Sequence, residues 1–260
     1  MTILNVDRLE KSFGALMAVN RVSFSIEPGE RRAIIGPNGA GKTTLFNLIS
    51  GELDPSGGRV VFVGQDITKL PPNERANLGM ARTFQRNNLF LGLSVWENVR
   101  LAGHPVKGVS PRAFGSTQSQ QIQVVKDSLE RVGLYERRDA IARTLSYGEQ
   151  RQLELAIALA TQPKILLLDE PAAGMSPAET NRLLGLLRDM PRSITLLIIE
   201  HDMDVVFGLA EHVTVLHYGE VLANGTTEQV RNNPRVMEVY LGVTEAQRSK
   251  PRVNAAKETT

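Results

Sequence analysis

Gly36-Pro37-Asn38-Gly39-Ala40-Gly41-Lys42-Thr43-Thr44 fits the pattern G-x-x-x-x-G-K-[ST], and its context is the one that pattern requires. Arg32 to Ile35, just before it, is nearly continuously apolar, as expected of a strand covered on both faces. Leu45-Phe46-Asn47-Leu48, just after it, opens a helical pattern. Strand, glycine-rich loop and helix together make a phosphate cradle. The backbone must curl so that successive N–H groups converge on phosphate oxygens, and the helix N-terminus adds favourable potential. Gly36, Asn38, Gly39, Ala40, Gly41, Lys42, Thr43 and Thr44 are therefore the expected phosphate-binding residues. Lys42 supplies a point charge to β and γ phosphates, and the Thr43 hydroxyl suits Mg²⁺.

Working outward, Ile165-Leu166-Leu167-Leu168-Asp169-Glu170 places two carboxylates where another buried strand ends, the edge at which open α/β sheets bind ligands. Asp169 is expected to hold Mg²⁺, largely through water. Glu170 is expected to polarise the attacking water as a general base. Thr195 to Ile199 is a third buried run, and the three together suggest a parallel sheet. Val22, Phe24 and Ile26, and then Val60, Phe62 and Gly64, alternate as half-buried antiparallel strands do. Helical periodicity covers Gln150 to Thr161, with Leu153, Ala156, Ile157 and Ala160 on one face, and Ala178 to Met190. Strand–helix alternation implies an α/β architecture. Residues 87–143 contain no convincing strand, and Ile122 to Val132 reads as helix, which predicts a helical subdomain over about 87–162.

Composition narrows the function classes. The 260 residues are 42% hydrophobic and 22% charged, which is ordinary for a folded soluble chain. The longest apolar runs are far shorter than the roughly 18–20 residues that cross a bilayer, and Met1 to Glu10 lacks the features of a secretory signal. The expectation is a cytosolic chain. With no cysteine, neither a disulfide framework nor a thiolate metal site can form. A net charge of +2 does not describe a nucleic-acid-binding surface. The segment 243–260 lacks apolar periodicity and is expected to be a polar, disordered tail.

Leu145-Ser146-Tyr147-Gly148-Glu149-Gln150, before a helix and shortly upstream of Asp169-Glu170, resembles the signature element of the ABC ATPase family. Physically it offers a second anion-binding helix N-terminus, with Ser146 and the Gly148 amide toward a phosphate. The resemblance runs from about Leu4 to Gly242. It implies one α/β domain over 1–242, with a mainly parallel core sheet, an antiparallel β subdomain and a helical signature subdomain. It also implies ATP and Mg²⁺ as ligands, and a head-to-tail dimer in which each signature element faces the other subunit's ATP. By the same resemblance, Phe13 stacks on adenine, Gln85 touches Mg²⁺ and water, and His201 reaches the γ-phosphate. Taken alone, Phe13 reads as a strand residue of the core and His201 as structural.

Two departures stand out. Tyr147 and Glu149 occupy places where glycine and glutamine are usual, and Ser176, in Ala173-Gly174-Met175-Ser176-Pro177, replaces an aspartate that often spans the dimer interface. With Leu222-Ala223-Asn224-Gly225-Thr226 and Val239-Tyr240-Leu241-Gly242, they resemble the subfamily energising branched-chain amino-acid uptake. That implies a second ATPase subunit, identical or paralogous, two transmembrane permease subunits, a solute-binding protein acting indirectly, and a position on the inner membrane face. It implies no nucleic-acid partner. An export ATPase and a soluble ABC ATPase of DNA repair or translation stay open as alternatives, although the second usually carries heptads or two cassettes, absent here. Leu89-Phe90-Leu91-Gly92-Leu93-Ser94-Val95-Trp96 is unusually apolar: Trp96 is expected in the core, and Leu89 and Phe90 in a groove that receives the permease.

Overall fold

The computed structural model describes residues 2–83, 89–102 and 118–241. Strands β1 (Leu4–Phe13) and β2 (Leu16–Ile26) form a long hairpin, and β3 (Arg31–Ile35) leads into helix α1 (Lys42–Ser50). After these come β4 (Gly57–Phe62), β5 (Gln65–Asp66), α2 (Pro72–Asn77), β6 (Met80–Arg82), α3 (Val95–Ala102), α4 (Gln118–Arg131) and α5 (Tyr147–Ala160). The remainder alternates: β7 (Ile165–Asp169), α6 (Pro177–Arg188), β8 (Thr195–Ile199), α7 (Met203–Leu209), β9 (His212–His217), β10 (Glu220–Thr226), α8 (Thr227–Arg231) and α9 (Pro234–Leu241).

The strands form two sheets. One is antiparallel, in the order β2-β1-β4-β5, and the other runs β10-β9-β3-β8-β7-β6. Within the second, β9, β3, β8, β7 and β6 are parallel to their neighbours, and only the edge pairing of β10 with β9 is antiparallel. The continuous apolar runs are explained by burial on both faces. Ile165, Leu167, Leu197 and Ile199 point into a core shared with the antiparallel sheet and α1. Leu166, Leu168, Leu196 and Ile198 point the other way, into a core shared with α3, α4, α5 and α6. Ala33 and Ile35 of β3 meet α7, β9, α8 and α9 in a third cluster. Each fully buried Leu or Ile contributes about 1.5–3 kcal/mol relative to exposure, so the strands that carry the acidic edge are the most firmly held.

The strands and helices expected from the sequence fall on elements of the structure with a few differences, and β1, β5, β9 and β10 lie outside those expectations. Gly64 lies beyond β4 with φ +77, in the turn to β5, so the alternation ends at Phe62. The three residues of β6 are too short to show a period. Helix α5 begins at Tyr147, three residues before the periodic stretch, because its first turn faces the chain's surface and is set by a cap instead of by apolar spacing. Among the described residues of 89–143 there is no strand, only an isolated bridge between Ser94 and Ile141. Trp96 packs, partly buried, against the helical core, and so does Leu89. Leu89 is thus turned toward the core, contrary to its expected place in the groove; Phe90, the other residue of that pair, is exposed, as is its neighbour Leu91. The tail 243–260 lies outside the described residues.

Arg75, on α2, joins the end of α1 to the segment that follows β5. It is 1% exposed, and its guanidinium donates to the carbonyls of Leu48 (2.7 Å) and Ile49 (2.6 Å) at the end of α1, and to Leu70 and Thr68. A cation there satisfies the unpaired carbonyls of the last helical turn and opposes the negative end of the helix dipole. Replacing it by Met should leave four carbonyls short of a donor, those of Leu48 and Ile49 in buried contacts, and destabilise the fold by about 3 kcal/mol. Urea unfolding followed by circular dichroism measures this, and a loss under about 1 kcal/mol would contradict the assignment.

Candidate functional site

The turn from β3 into α1 is built by close approach. A Cβ at Gly36 would run into the carbonyl of Leu216 on β9, and one at Gly41 into the carbonyl of Ala18 on β2. Gly41 also has φ +98, which side chains disfavour. Helix α1 starts from Gly41 with no side-chain cap, so its first amides are left for an incoming anion. Lys42 is buried, and its Nζ donates to the carbonyls of Gly36 (2.7 Å) and Pro37 (3.0 Å). Those two bonds draw the loop around the ammonium. Burial pushes the Lys42 pKa down, and the Glu170 and Asp169 carboxylates pull it up. Asn38, Gly39 and Thr43 are exposed at the rim, Thr44 is half-buried, and Ala40 is buried beneath them.

The acidic edge lies beside this loop. Asp169 ends β7 with its side chain buried, one oxygen accepting from Arg82 Nη2 at 3.1 Å. Its other oxygen, Oδ1, is buried without a hydrogen-bond partner. Burial pushes the Asp169 carboxyl up, and the Arg82 guanidinium opposes that. A carboxylate oxygen so placed fits a divalent cation, which would both pair the orphaned acceptor and favour the ionised form. Glu170 follows in the left-handed region at φ +46, a conformation that costs about 1–3 kcal/mol and is held by the surroundings. Its amide donates to Ile199 on β8 at 3.0 Å. His201, after β8, brings Nδ1 to 3.6 Å from Glu170 Oε1. Lys42, Asp169, Glu170 and His201 are thus brought together around one loop.

Phe13 sits at the tip of the β1–β2 hairpin and is 48% exposed, with Lys11 Nζ 5.3 Å from its ring centre. An exposed ring on the hairpin whose Ala18 carbonyl presses on Gly41 is free to stack on a planar ligand. The alternative reading of Phe13 as core is excluded by that exposure. Ser146 and Gly148 stand apart from the phosphate loop: their bonds go to Glu149 and Glu179. Ser146 caps α5, its Oγ accepting from the Glu149 amide at 3.3 Å while Glu149 Oε2 accepts from the Ser146 amide at 2.8 Å. This reciprocal cap gives Glu149 a physical reason at a place where glutamine is usual, and it leaves the Ser146 hydroxyl proton free to donate. Gln85 lies outside the described residues.

Four contributors were not singled out from the sequence. Arg82 pairs with Asp169 and also donates to Asn47 Oδ1 (2.7 Å) and Ser50 Oγ (2.8 Å). Glu200, almost fully buried, accepts from the amides of Ala172 (3.3 Å) and His201 (3.2 Å), and burial pushes its carboxyl up. Its place between an apolar strand and His201 was the available signal. Glu179 contacts the Gly148 amide across 31 residues of sequence, which no local pattern shows. The Tyr240 hydroxyl is buried beside the Gly36 backbone, with burial pushing its pKa up and that backbone opposing. The Val239-Tyr240-Leu241-Gly242 segment quoted above for its resemblance therefore brings a phenol up to the phosphate loop.

Comparison with known proteins agrees with this geometry. The ABC transporter family profile matches residues 19–173, and a second profile, for branched-chain amino acid ATP-binding cassette transporters, matches residues 220–246. The chain is 43% identical to the high-affinity branched-chain amino acid transport ATP-binding protein LivG of Escherichia coli over 249 residues, 92% of this chain and 98% of the relative. It is 41% identical over 249 residues to the corresponding protein BraF of Pseudomonas aeruginosa, with 92% and 98% covered. Among solved structures, the ADP conformation of MJ1267, an ATP-binding cassette of an ABC transporter, superposes with a TM-score of 0.82 at 35% identity, covering 94% of this chain and 100% of that one. The chain therefore belongs to the ABC transporter family, whose ATP-binding cassettes hydrolyse ATP to power transport.

Proposed function

We propose that this chain is the ATPase subunit of an importer for branched-chain or closely related amino acids, acting as half of a dimer that sandwiches two ATP molecules. The observation that carries the chemistry is the convergence of Lys42, Asp169, Glu170 and His201 on the turn between β3 and α1. The loop amides and Lys42 bind the β and γ phosphates, and Phe13 stacks on the adenine. A bound Mg²⁺ would supply positive charge to offset that developing on the leaving group. Thr43, the orphaned Oδ1 of Asp169 and, by family resemblance, Gln85 would hold it. Glu170 polarises the water that attacks the γ-phosphorus. His201, mostly exposed and beside Glu170, faces the same phosphate. The amino-acid substrate class rests on the likeness to LivG and BraF and on the match over residues 220–246.

Ser146 and Gly148 take part only across a subunit interface, because their bonds lie away from the loop of their own chain. The likeness to transport ATP-binding proteins supports separate membrane-spanning permease subunits, with this chain at the inner face; among the described residues no helix is long and apolar enough to cross a membrane. A 380 Å³ cavity between α1, α2, β6 and α5, lined by Met80, Ala81, Ile157 and Ala158 among others, suits an apolar segment of the permease. Phe90, 59% exposed, and Leu91, 47% exposed, add apolar surface beyond that segment. A short permease helix seated here would sense the position of α5 relative to α1.

Glu170→Gln should bind Mg-ATP as the parent does, lose turnover by at least about 100-fold, and accumulate as an ATP-dependent dimer. Size-exclusion chromatography with Mg-ATP tests this, and a protein that stays monomeric at high concentration would sink the sandwich. Ser146→Arg should still bind ATP as a monomer yet fail to hydrolyse it in the assembled transporter. Normal hydrolysis there would rule out a composite site. Phe90→Asp should fold and bind ATP but lose permease capture in a pull-down and solute uptake in cells. Unchanged uptake would remove Phe90 from the docking surface.

A further inference from the structure

The first turn of α5 is tied to the segment following Glu170 in its own chain at two adjacent positions. Tyr147 Oη donates to the Ala173 carbonyl at 3.1 Å and accepts from Arg151 Nη2 at 3.0 Å. The Gly148 amide donates to Glu179 Oε1, also at 3.1 Å. A Cβ on Gly148 would stand 2.6 Å from that oxygen, so the carboxylate lies directly against the amide. The other oxygen of Glu179 caps α6, accepting from the Ser176 amide (2.9 Å) and Ser176 Oγ (2.7 Å). Bonds from Ser176 and then from Gly148 hold the Glu179 carboxyl below the usual range, which keeps it an anion.

Gly148 is the second residue of α5, so its N–H has no partner inside the helix. It is also the amide expected to face the γ-phosphate bound by the other subunit. We propose that Glu179 occupies this phosphate position from within the same chain, so that nucleotide-driven closure exchanges its carboxylate for the phosphate. The inference rests on the composite-site reading above and deepens it. One N–H serves one strong acceptor, and two anions at one helix N-terminus repel each other. In the separate subunit the signature cradle is therefore already filled by an internal anion. Only a ligand of higher charge, presented by a partner that has bound ATP, displaces it. The cap on Ser176 gives the displaced carboxylate a place to remain, because its second oxygen keeps both bonds. This also gives Ser176 a role where an aspartate is common: it holds the competing carboxylate in position.

Glu179→Gln separates the two roles of the side chain. Glutamine preserves the reciprocal cap with Ser176, but its amide NH2, turned toward Gly148, offers no acceptor. Introduced into the full-length Glu170→Gln chain, it should shift half-maximal dimerisation to a roughly 5-fold lower Mg-ATP concentration in analytical ultracentrifugation, with the thermal midpoint retained. Glu179→Ala, which loses the cap as well, should shift dimerisation in the same direction with a lower thermal midpoint. Curves that superimpose on the parent, or shift to higher ATP, would overturn the proposal and leave Glu179 a structural cap. If the Glu170→Gln parent itself forms no dimer with Mg-ATP, the composite site fails, and with it the inference. The two failures are told apart by the parent alone.

Discussion

Two hydrogen bonds from the Lys42 ammonium to the carbonyls of Gly36 and Pro37 set the shape on which the site depends. They pull the chain leaving β3 back over the start of α1, and the space for that curl exists only because Gly36 and Gly41 carry no Cβ against Leu216 and Ala18. Those carbonyls belong to β9 and β2, one from each sheet. The phosphate loop is therefore a joint as well as a binding surface. Burial would disfavour the Lys42 charge on its own, and the carboxylates of Asp169 and Glu170 at the end of β7 offset that cost. The loop and the acidic edge consequently depend on each other electrostatically before any nucleotide is present.

The acidic edge is divided by environment into unlike parts. Asp169 is buried and half satisfied by Arg82, with one oxygen left for a cation. Glu170, one residue on, leaves the strand in a left-handed turn that directs it toward His201. Two adjacent residues of the same charge thus stand in different environments, set by burial and backbone direction, which suits the separate tasks of metal binding and water activation proposed for them. Arg82 has a further effect. By bonding Asn47 and Ser50 of α1 along with Asp169, it fixes the distance between the helix that starts at the phosphate loop and the strand that ends at the carboxylates.

The departures from the common family pattern, at Tyr147 and Glu149 and at Ser176, share one small region of the structure. Glu149 completes the cap of α5, Ser176 begins the cap of α6, and Tyr147 reaches the loop between Glu170 and α6. They are connected substitutions at a seam between the helical part of the chain and its catalytic strand. A glycine at 147 could not span to Ala173, and the absent tyrosine would leave α5 with one tie to that loop fewer.

How much of this was legible without coordinates follows from the range of each interaction. The phosphate loop, the buried strands and the carboxylate pair are local patterns, in which spacing along the chain is spacing in space, and residues 36–44 and 165–170 sufficed to read them. The alternating parts of β2 and β4 are legible for the same reason, since alternation reports a half-buried surface, but their partners in the hairpins are not. The start of α5 was read late, because a capping box has no apolar period, and β6 was missed because three residues hold no period at all. Leu89 and Phe90 are apolar neighbours, and only tertiary packing sets one against the helical core and leaves the other exposed. The pairing of Arg82 with Asp169 spans 87 residues and that of Gly148 with Glu179 spans 31. Such contacts are set by how layers stack, a property of the whole chain. By itself the sequence determined which residues could bind phosphate and activate water; the tertiary structure decided which of them meet, because Coulomb attraction and hydrogen bonding act over a few ångströms and only packing brings distant segments that close.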